Sequence, residues 1–203
     1  MKYFSALSLI LANMVPVVGV LFWHWSVASI MVLYWFESLV VGIFNVLKMH
    51  RAEGGIAAKL TLNGVPAKDV VKTGLICFFL IHYGFFMLGH GIFVLVLFYP
   101  WHVPIGTLLS AIFSLVLSHG ISYRTNFIGR GEYKTLSVSQ LLLAPYGRIF
   151  VMHFTIVLGA FFIIRSGENI GALLIMIAVK TVIDLFSHFR EHNNFMGDAI
   201  LKN

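Results

Sequence analysis

Six apolar runs, each long enough to cross a lipid bilayer as a helix, dominate this chain of 203 residues. A hydrocarbon core about 30 Å thick is crossed by about 20 helical residues, since each residue adds about 1.5 Å. The runs are Phe4–Phe22, Ser26–Leu47, Lys72–Phe98, Pro104–Tyr123, Gly147–Arg165 and Ile170–Phe189. The sequence therefore predicts an all-α fold: a polytopic membrane helical bundle with six transmembrane helices, forming a single domain over residues 1–203.

The composition excludes other classes of protein. Hydrophobic residues make up 59% of the chain and charged residues 11%, against about 25% charged in soluble domains. The net charge of +6 comes from cations scattered between apolar runs, so it does not indicate a nucleic-acid partner. Cys77 is the one cysteine, which excludes a disulfide framework and a zinc ribbon.

The distribution of the cations predicts the orientation in the membrane. With the N-terminus in the cytoplasm, six spans place all but one of the 14 Lys and Arg residues on the cytoplasmic side, and the exception is Arg165. Lys and Arg in short loops resist translocation, so this arrangement is the expected one. We therefore predict that both termini are cytoplasmic. The segment at about residues 133–145 is too short and too polar to cross, and we expect it to lie along the cytoplasmic interface.

Ionisable side chains inside these spans are the candidates for function. A charged group at the centre of a membrane helix costs roughly 2.5–3.5 kcal/mol, so its presence indicates pairing or a functional role. Glu37 and His82 are expected near mid-depth, and His153, Asp184 and His188 in the inner leaflet. Asp184 and His188 stand at positions i and i+4 of one helix, so both can reach one divalent ion. We therefore predict that His82, His153, Asp184 and His188 are ligands of a zinc ion. A hydrogen-bonded stripe that only fixes packing is the structural alternative.

Three further residues complete the predicted site. Glu37 is a carboxylate in apolar surroundings, which raises its affinity for a proton and suits a general acid or base. The guanidinium groups of Arg124 and Arg148 match the oxygens of a phosphate or carboxylate, and they could also meet the propionates of a haem. The alternative for both arginines is plain attraction to anionic lipid headgroups.

Several short motifs, taken as a set, resemble one family. They are Leu11-Ala-Asn13-Met-Val-Pro16-Val-Val-Gly19-Val20, Tyr34-Trp35-x-Glu37, His82-Tyr83-Gly84-x-x-x-x-Gly89-His90, Ser118-His119-Gly120, Pro145-Tyr146-Gly147-Arg148 and Asp184-x-x-x-His188-x-x-x-His192. The chain resembles the prokaryotic multi-pass membrane proteins classed as domain of unknown function 6498. The resemblance implies an integral membrane helical bundle in a bacterial inner membrane, and it brings no activity.

Four functions are compatible with these residues. We favour a zinc-dependent intramembrane hydrolase acting on a lipid or lipidated substrate near the cytoplasmic leaflet, with Glu37 or a metal-bound water handling the proton. A haem-binding electron carrier, a transporter or proton pathway, and a structural membrane protein are the alternatives. Membrane lipids are the expected partners, and no nucleic acid is expected.

Overall fold

A computed structural model describes residues 17–19, 21–22, 25–54, 61–62, 65–97, 105–166, 177–179 and 181–182. Apart from one short strand pair, the regular structure in these ranges is helical. The main helices are α1 (Val27–Arg51), α2 (Ala67–Leu97), α3 (Ile105–Ser122) and α5 (Tyr146–Ser166). A π-helix (Tyr123–Ile128), a 3-10 helix (Glu132–Lys134) and the short helix α4 (Val138–Leu143) lie between α3 and α5. The strands β1 (Thr61–Leu62) and β2 (Val65–Pro66) pair antiparallel.

Three described helical stretches are long and apolar enough to cross a membrane. They are Ala28–Arg51, Lys68–Leu97 and Val138–Phe161. Large apolar side chains stand exposed on the second of them, including Ile81 at 74% and Phe85 at 78%. Exposed apolar surface of this extent is unusual in a soluble monomer and is compatible with hydrocarbon as the solvent. The number of six spans and the cytoplasmic location of the termini stay predictions, since most of Phe4–Phe22 and Ile170–Phe189 lies outside the described residues.

The chain divides into two compact units. One consists of residues 1–31, 97–103 and 150–203, and the other of residues 32–96 and 104–149. In the first unit, the backbone amide of Trp25 donates to the carbonyl of Gly19 at 3.0 Å, and Trp25 is buried. The second unit holds most of the polar residues of interest and is called the polar unit below. The single-domain organisation stays a prediction.

Helices α1 and α2 meet in the polar unit through two matching contacts. The indole N–H of Trp35 donates to the carbonyl of Met87 at 2.8 Å, and the Trp35 ring lies where a Cβ on Gly91 would be. In the opposite direction, the hydroxyl of Tyr83 donates to the carbonyl of Ser38 at 2.6 Å, and its ring lies over Gly42. We call these two contacts the aromatic–glycine clasp.

The clasp follows a simple rule of helix geometry. The carbonyl of residue i points toward the amide of residue i+4, so a glycine at i+4 leaves that oxygen uncovered by a side chain. Gly42 is four residues after Ser38, and Gly91 is four residues after Met87. Each helix therefore presents a bare carbonyl and a flat surface to an aromatic donor of the other. Small residues serve the same purpose at other membrane-helix interfaces.

The predicted cytoplasmic end of the polar unit is closed by contacts to the end of α1. Lys72 Nζ donates to the carbonyl of Ala52 at 3.0 Å, and Lys68 Nζ donates to that of Glu53 at 3.3 Å. Ammonium groups at a helix C-terminus bind its unpaired carbonyls and oppose the negative end of its dipole. The later lysine of α2, Lys72, contacts the earlier residue, Ala52, and Lys68 contacts Glu53. The two helices therefore run antiparallel.

Contacts of α1 with later segments fix two more directions. Phe44 stacks on His119 at 5.9 Å between ring centroids, and Lys48 Nζ lies 5.7 Å from the centre of the Phe127 ring, so α3 and the π-helix run parallel to α1. The segment from Leu141 to Arg148 runs antiparallel to α1, because Asn45 contacts Leu141 and Glu37 contacts Arg148. The alternating directions of consecutive helices are those that successive membrane crossings require.

Adding a methyl group at the clasp should destabilise the protein. We expect Gly91→Ala to lower the free energy of unfolding by about 1–3 kcal/mol, because its Cβ would lie 2.8 Å from Cζ2 of Trp35. Gly89→Ala is the matched control on the same helix, since no heavy atom lies within 4 Å of its added Cβ. The control should be neutral or stabilising by up to about 1 kcal/mol, because alanine favours helix. Thermal unfolding in detergent measures both, and equal effects of the two changes would contradict the role of the clasp.

Candidate functional site

An ion pair joins the middle of α1 to the start of α5 in the polar unit. Arg148 Nη1 lies 3.1 Å from Glu37 Oε1, and the two residues are 111 positions apart in sequence. The Glu37 side chain is 27% exposed and the Arg148 side chain 46% exposed. The sequence suggested a lone carboxylate in apolar surroundings, and that part of the interpretation is wrong. Glu37 has a cationic partner, the Arg148 guanidinium.

Arg148 keeps unused hydrogen-bonding capacity. A guanidinium group offers five N–H donors, and a carboxylate can engage two of them side by side. Among the described residues, Glu37 is the one hydrogen-bond acceptor of Arg148, and Arg148 donates one bond to it. The exposed part of the guanidinium is therefore able to bind a second anion while the ion pair is intact.

A second polar pair involves His82, which the sequence predicted as a zinc ligand. His82 Nδ1 and the hydroxyl of Tyr146 are 2.7 Å apart, and the rings are 5.6 Å apart between centroids. His82 also stacks on Phe78 at 5.3 Å. These contacts fix the orientation of the imidazole, and the hydrogen bond occupies one ring nitrogen. When Nδ1 carries the proton and donates it to Tyr146, Nε2 has a free lone pair, which is the usual arrangement of a histidine that binds a metal.

The start of α5 connects the two pairs. Tyr146 and Arg148 are two residues apart, so their side chains leave the helix about 200° apart. Tyr146 reaches α2 and Arg148 reaches α1. The structure thus brings Glu37 together with Arg148, and His82 together with Tyr146, as two pairs on different sides of one helix end.

His119 of α3 is half-buried and stacks on Phe44 of α1, with the ring centroids 5.9 Å apart. From the sequence, His119 was a candidate, with Glu37 and His82, for the polar track of the transporter or proton-pathway alternative.

The remaining predicted site residues are not brought into this cluster. Arg124 lies in the π-helix, is exposed, and makes no ion pair within the described part of the chain. His153 is exposed on α5 and belongs to the other compact unit. Asp184 and His188 lie outside the described residues. Across the described ranges, no group of three His, Cys, Asp or Glu side chains is arranged to hold a metal ion. The zinc and haem sites stay predictions.

An apolar groove also lies between α1 and α2, with a volume of about 300 Å³. Leu39, Ile43, Leu80 and Leu88 are among its lining residues. Leu39 follows Glu37 by two residues, so the groove and the ion pair are on nearly opposite sides of α1. The groove therefore adds no surface to the polar pairs.

Sequence reasoning missed Tyr146, although it quoted the motif Pro145-Tyr146-Gly147-Arg148. A proline followed by an aromatic residue, a glycine and an arginine marks a helix start, and the residues of a first turn reach out to neighbouring helices. That signal could have indicated partners on two helices, but it does not say which ones.

Comparison with known proteins establishes the family. The profile of a family of unknown function, DUF6498, matches residues 2–199. The chain belongs to this family. The short motifs quoted from the sequence contain all four residues of the two polar pairs, which are Glu37, His82, Tyr146 and Arg148. No curated protein and no solved structure matches the chain significantly. Membership in DUF6498 brings no activity, so any function rests on the residues.

Removing one member of the ion pair should cost more stability than removing both. Glu37→Gln leaves the Arg148 guanidinium without its carboxylate, and we expect a loss of about 1–3 kcal/mol in the free energy of unfolding. The double change Glu37→Gln with Arg148→Gln removes both charges and should recover part of that loss. The free energy of unfolding in detergent, measured at several salt concentrations for the wild type and for the single and double variants, tests this.

The matched control is the ion pair Arg51–Glu53, at 3.3 Å and about half exposed on both sides. Glu53→Gln should cost less than about 1 kcal/mol, as exposed pairs do. A Glu37→Gln variant as stable as Glu53→Gln would show that the first pair is no more than a solvated surface contact.

Proposed function

We propose that the protein is an integral membrane protein that binds the anionic group of a lipid or lipidated substrate at Arg148. The single observation that carries this proposal is the one-bond ion pair between Arg148 and Glu37. A cation held in place by one hydrogen bond, and still partly exposed, can accept phosphate or carboxylate oxygens without reorganisation of the site. Lipids are the substrates that reach such a position most directly in a membrane.

In its more specific form, we propose that the protein is a zinc-dependent hydrolase. Glu37 would act as the general base that accepts a proton from the attacking water. His82 would be one zinc ligand, since its Nδ1 bond to Tyr146 fits a histidine whose Nε2 binds metal. Two of His153, Asp184 and His188 are the proposed further ligands, and zinc when bound would supply the activated water.

A haem-binding function is less well supported. Arg148 could meet one haem propionate beside Glu37, but no described contact brings Arg124 to Arg148 to meet the second propionate. Among the described residues, no contact favours a transporter over a protein that only binds its ligand. We therefore carry lipid binding and zinc hydrolysis forward as the functions to test.

Lipid binding predicts a selective stabilisation by anionic lipid. A ligand that binds the folded state raises the midpoint of thermal unfolding in proportion to its affinity. We expect phosphatidylglycerol in mixed micelles to raise the Tm of the wild type more than phosphatidylcholine does. Arg148→Ala should lose most of this difference, and Arg148→Lys should lose part of it, because lysine keeps the charge without the planar donors.

The control for this experiment is Arg130→Ala, at an exposed arginine near the predicted cytoplasmic end. Its contribution to lipid binding should disappear at high salt, which screens exposed charges. The contribution of Arg148 should persist there. A lipid effect that is equal in the wild type and in Arg148→Ala at high salt would contradict the binding proposal.

The hydrolase proposal predicts bound zinc. Elemental analysis of detergent-purified protein should find about one zinc per chain, as expected of a site with three protein ligands and a water. His82→Ala should lose the metal, whereas Glu37→Gln should keep it and lose activity by about 10²–10⁴-fold. The exposed residue His50 supplies the control, His50→Ala, which should keep the metal. A protein without zinc, and with a Tm that chelators leave unchanged, would exclude the zinc form and leave lipid binding in place.

A further inference from the structure

The helix that carries Arg148 is interrupted just before it. Helix α4 ends at Leu143, α5 begins at Tyr146, and residues 144–145 form a turn between them. Together they make up one candidate membrane crossing, Val138–Phe161. This differs from the sequence expectation, in which residues 133–145 lie along the interface and the fifth span begins at Gly147.

Pro145 accounts for the interruption. In a continuous α-helix the amide of residue 145 would donate to the carbonyl of Leu141, but proline has no N–H. The amide of Ala144 reaches that carbonyl only at 3.3 Å, in a tighter turn. Leu141 is buried, so its carbonyl needs a further donor, since an unsatisfied backbone group is costly inside a membrane protein.

Asn45 of α1 supplies that donor. Its side-chain Nδ2 lies 2.9 Å from the carbonyl oxygen of Leu141, and Asn45 is itself 5% exposed. Asn45 is 96 residues from Leu141 in the sequence, and its amide reaches the carbonyl that an N–H at position 145 would bind in a continuous helix.

The contact also lies in line with the ion pair. Three points connect α1 with the segment that precedes and begins α5: Gly54 with Ser137, Asn45 with Leu141, and Glu37 with Arg148. The first two hold the segment against α1 before the break, and the third follows immediately after it. The position of Arg148 relative to Glu37 therefore depends on how the break is held.

We propose that Asn45 is a positioning residue, whose amide replaces the hydrogen-bond donor that Pro145 lacks and so holds the interrupted span with Arg148 against Glu37. The stability part of this inference is independent of any activity. The part that concerns ligand binding rests on the proposed function of Arg148, and the two are tested separately.

A double-mutant cycle tests whether the Asn45 amide replaces the hydrogen bond that Pro145 cannot donate. Asn45→Leu keeps a similar shape and removes the donor, and it should lower the Tm in detergent by several degrees. Pro145→Ala returns a backbone N–H to position 145, so Asn45→Leu should cost less than half as much in that background. Asn126 supplies the control: Asn126→Leu, at the half-buried amide of the π-helix, should cost the same with and without Pro145. If Asn45→Leu lowers the Tm equally with and without Pro145, the proposed compensation between the two residues is wrong.

Lipid selectivity tests the positioning. The difference in Tm between phosphatidylglycerol and phosphatidylcholine micelles should fall in Asn45→Leu and in Pro145→Ala, because Arg148 loses its place in both, even though Pro145→Ala restores the backbone bond. If both variants keep the wild-type difference in Tm between the two lipids, Asn45 does not position Arg148. The hydrogen-bond compensation is tested separately, by the double-mutant cycle. If Arg148→Ala, measured in the same series, also keeps the wild-type lipid difference, the proposed binding of anionic lipid at Arg148 is wrong instead.

Discussion

The arrangement of the polar unit depends on how closely α1 and α2 approach each other. In hydrocarbon the lipid tails are as apolar as leucine, so burial of apolar surface does little to bring two membrane helices together. Close packing and hydrogen bonds between helices must do it. The aromatic–glycine clasp supplies both at once, since Trp35 and Tyr83 each lie flat on a glycine of the other helix and donate to the carbonyl beside it.

The clasp also sets the register of the two helices. Because it is formed in both directions, a shift of one residue along either helix would move both rings off their glycines and both donors off their carbonyls. Ser38, which accepts the Tyr83 bond, is next to Glu37 in sequence, and His82 is next to Tyr83. A contact made for packing thus places Glu37 and His82 at similar heights along the helix pair, where the start of α5 reaches them both.

The sequence predicts part of this and not the rest. The long apolar runs predict helices, and α1, α2, α3 and α5 overlap the second to fifth predicted spans. Glu37 and His82 stand out because ionisable groups are costly in a membrane. Their partners could not be read from the sequence, since Arg148 is 111 positions from Glu37 and Tyr146 is 64 from His82. Only the packing order of the helices decides which of several polar groups meet, and a single sequence does not contain that order in any local pattern.

Pairing changes what the presence of Glu37 implies. A lone carboxylate in hydrocarbon would itself indicate a function, because nothing else would compensate its cost. A carboxylate beside a guanidinium is nearly neutral as a pair, and packing alone could retain it. The ion pair leaves part of Arg148 exposed, and its remaining N–H donors are available to an anion. The case for a binding site therefore rests on the donors that Arg148 leaves unused, and not on the carboxylate that first drew attention to this part of the chain.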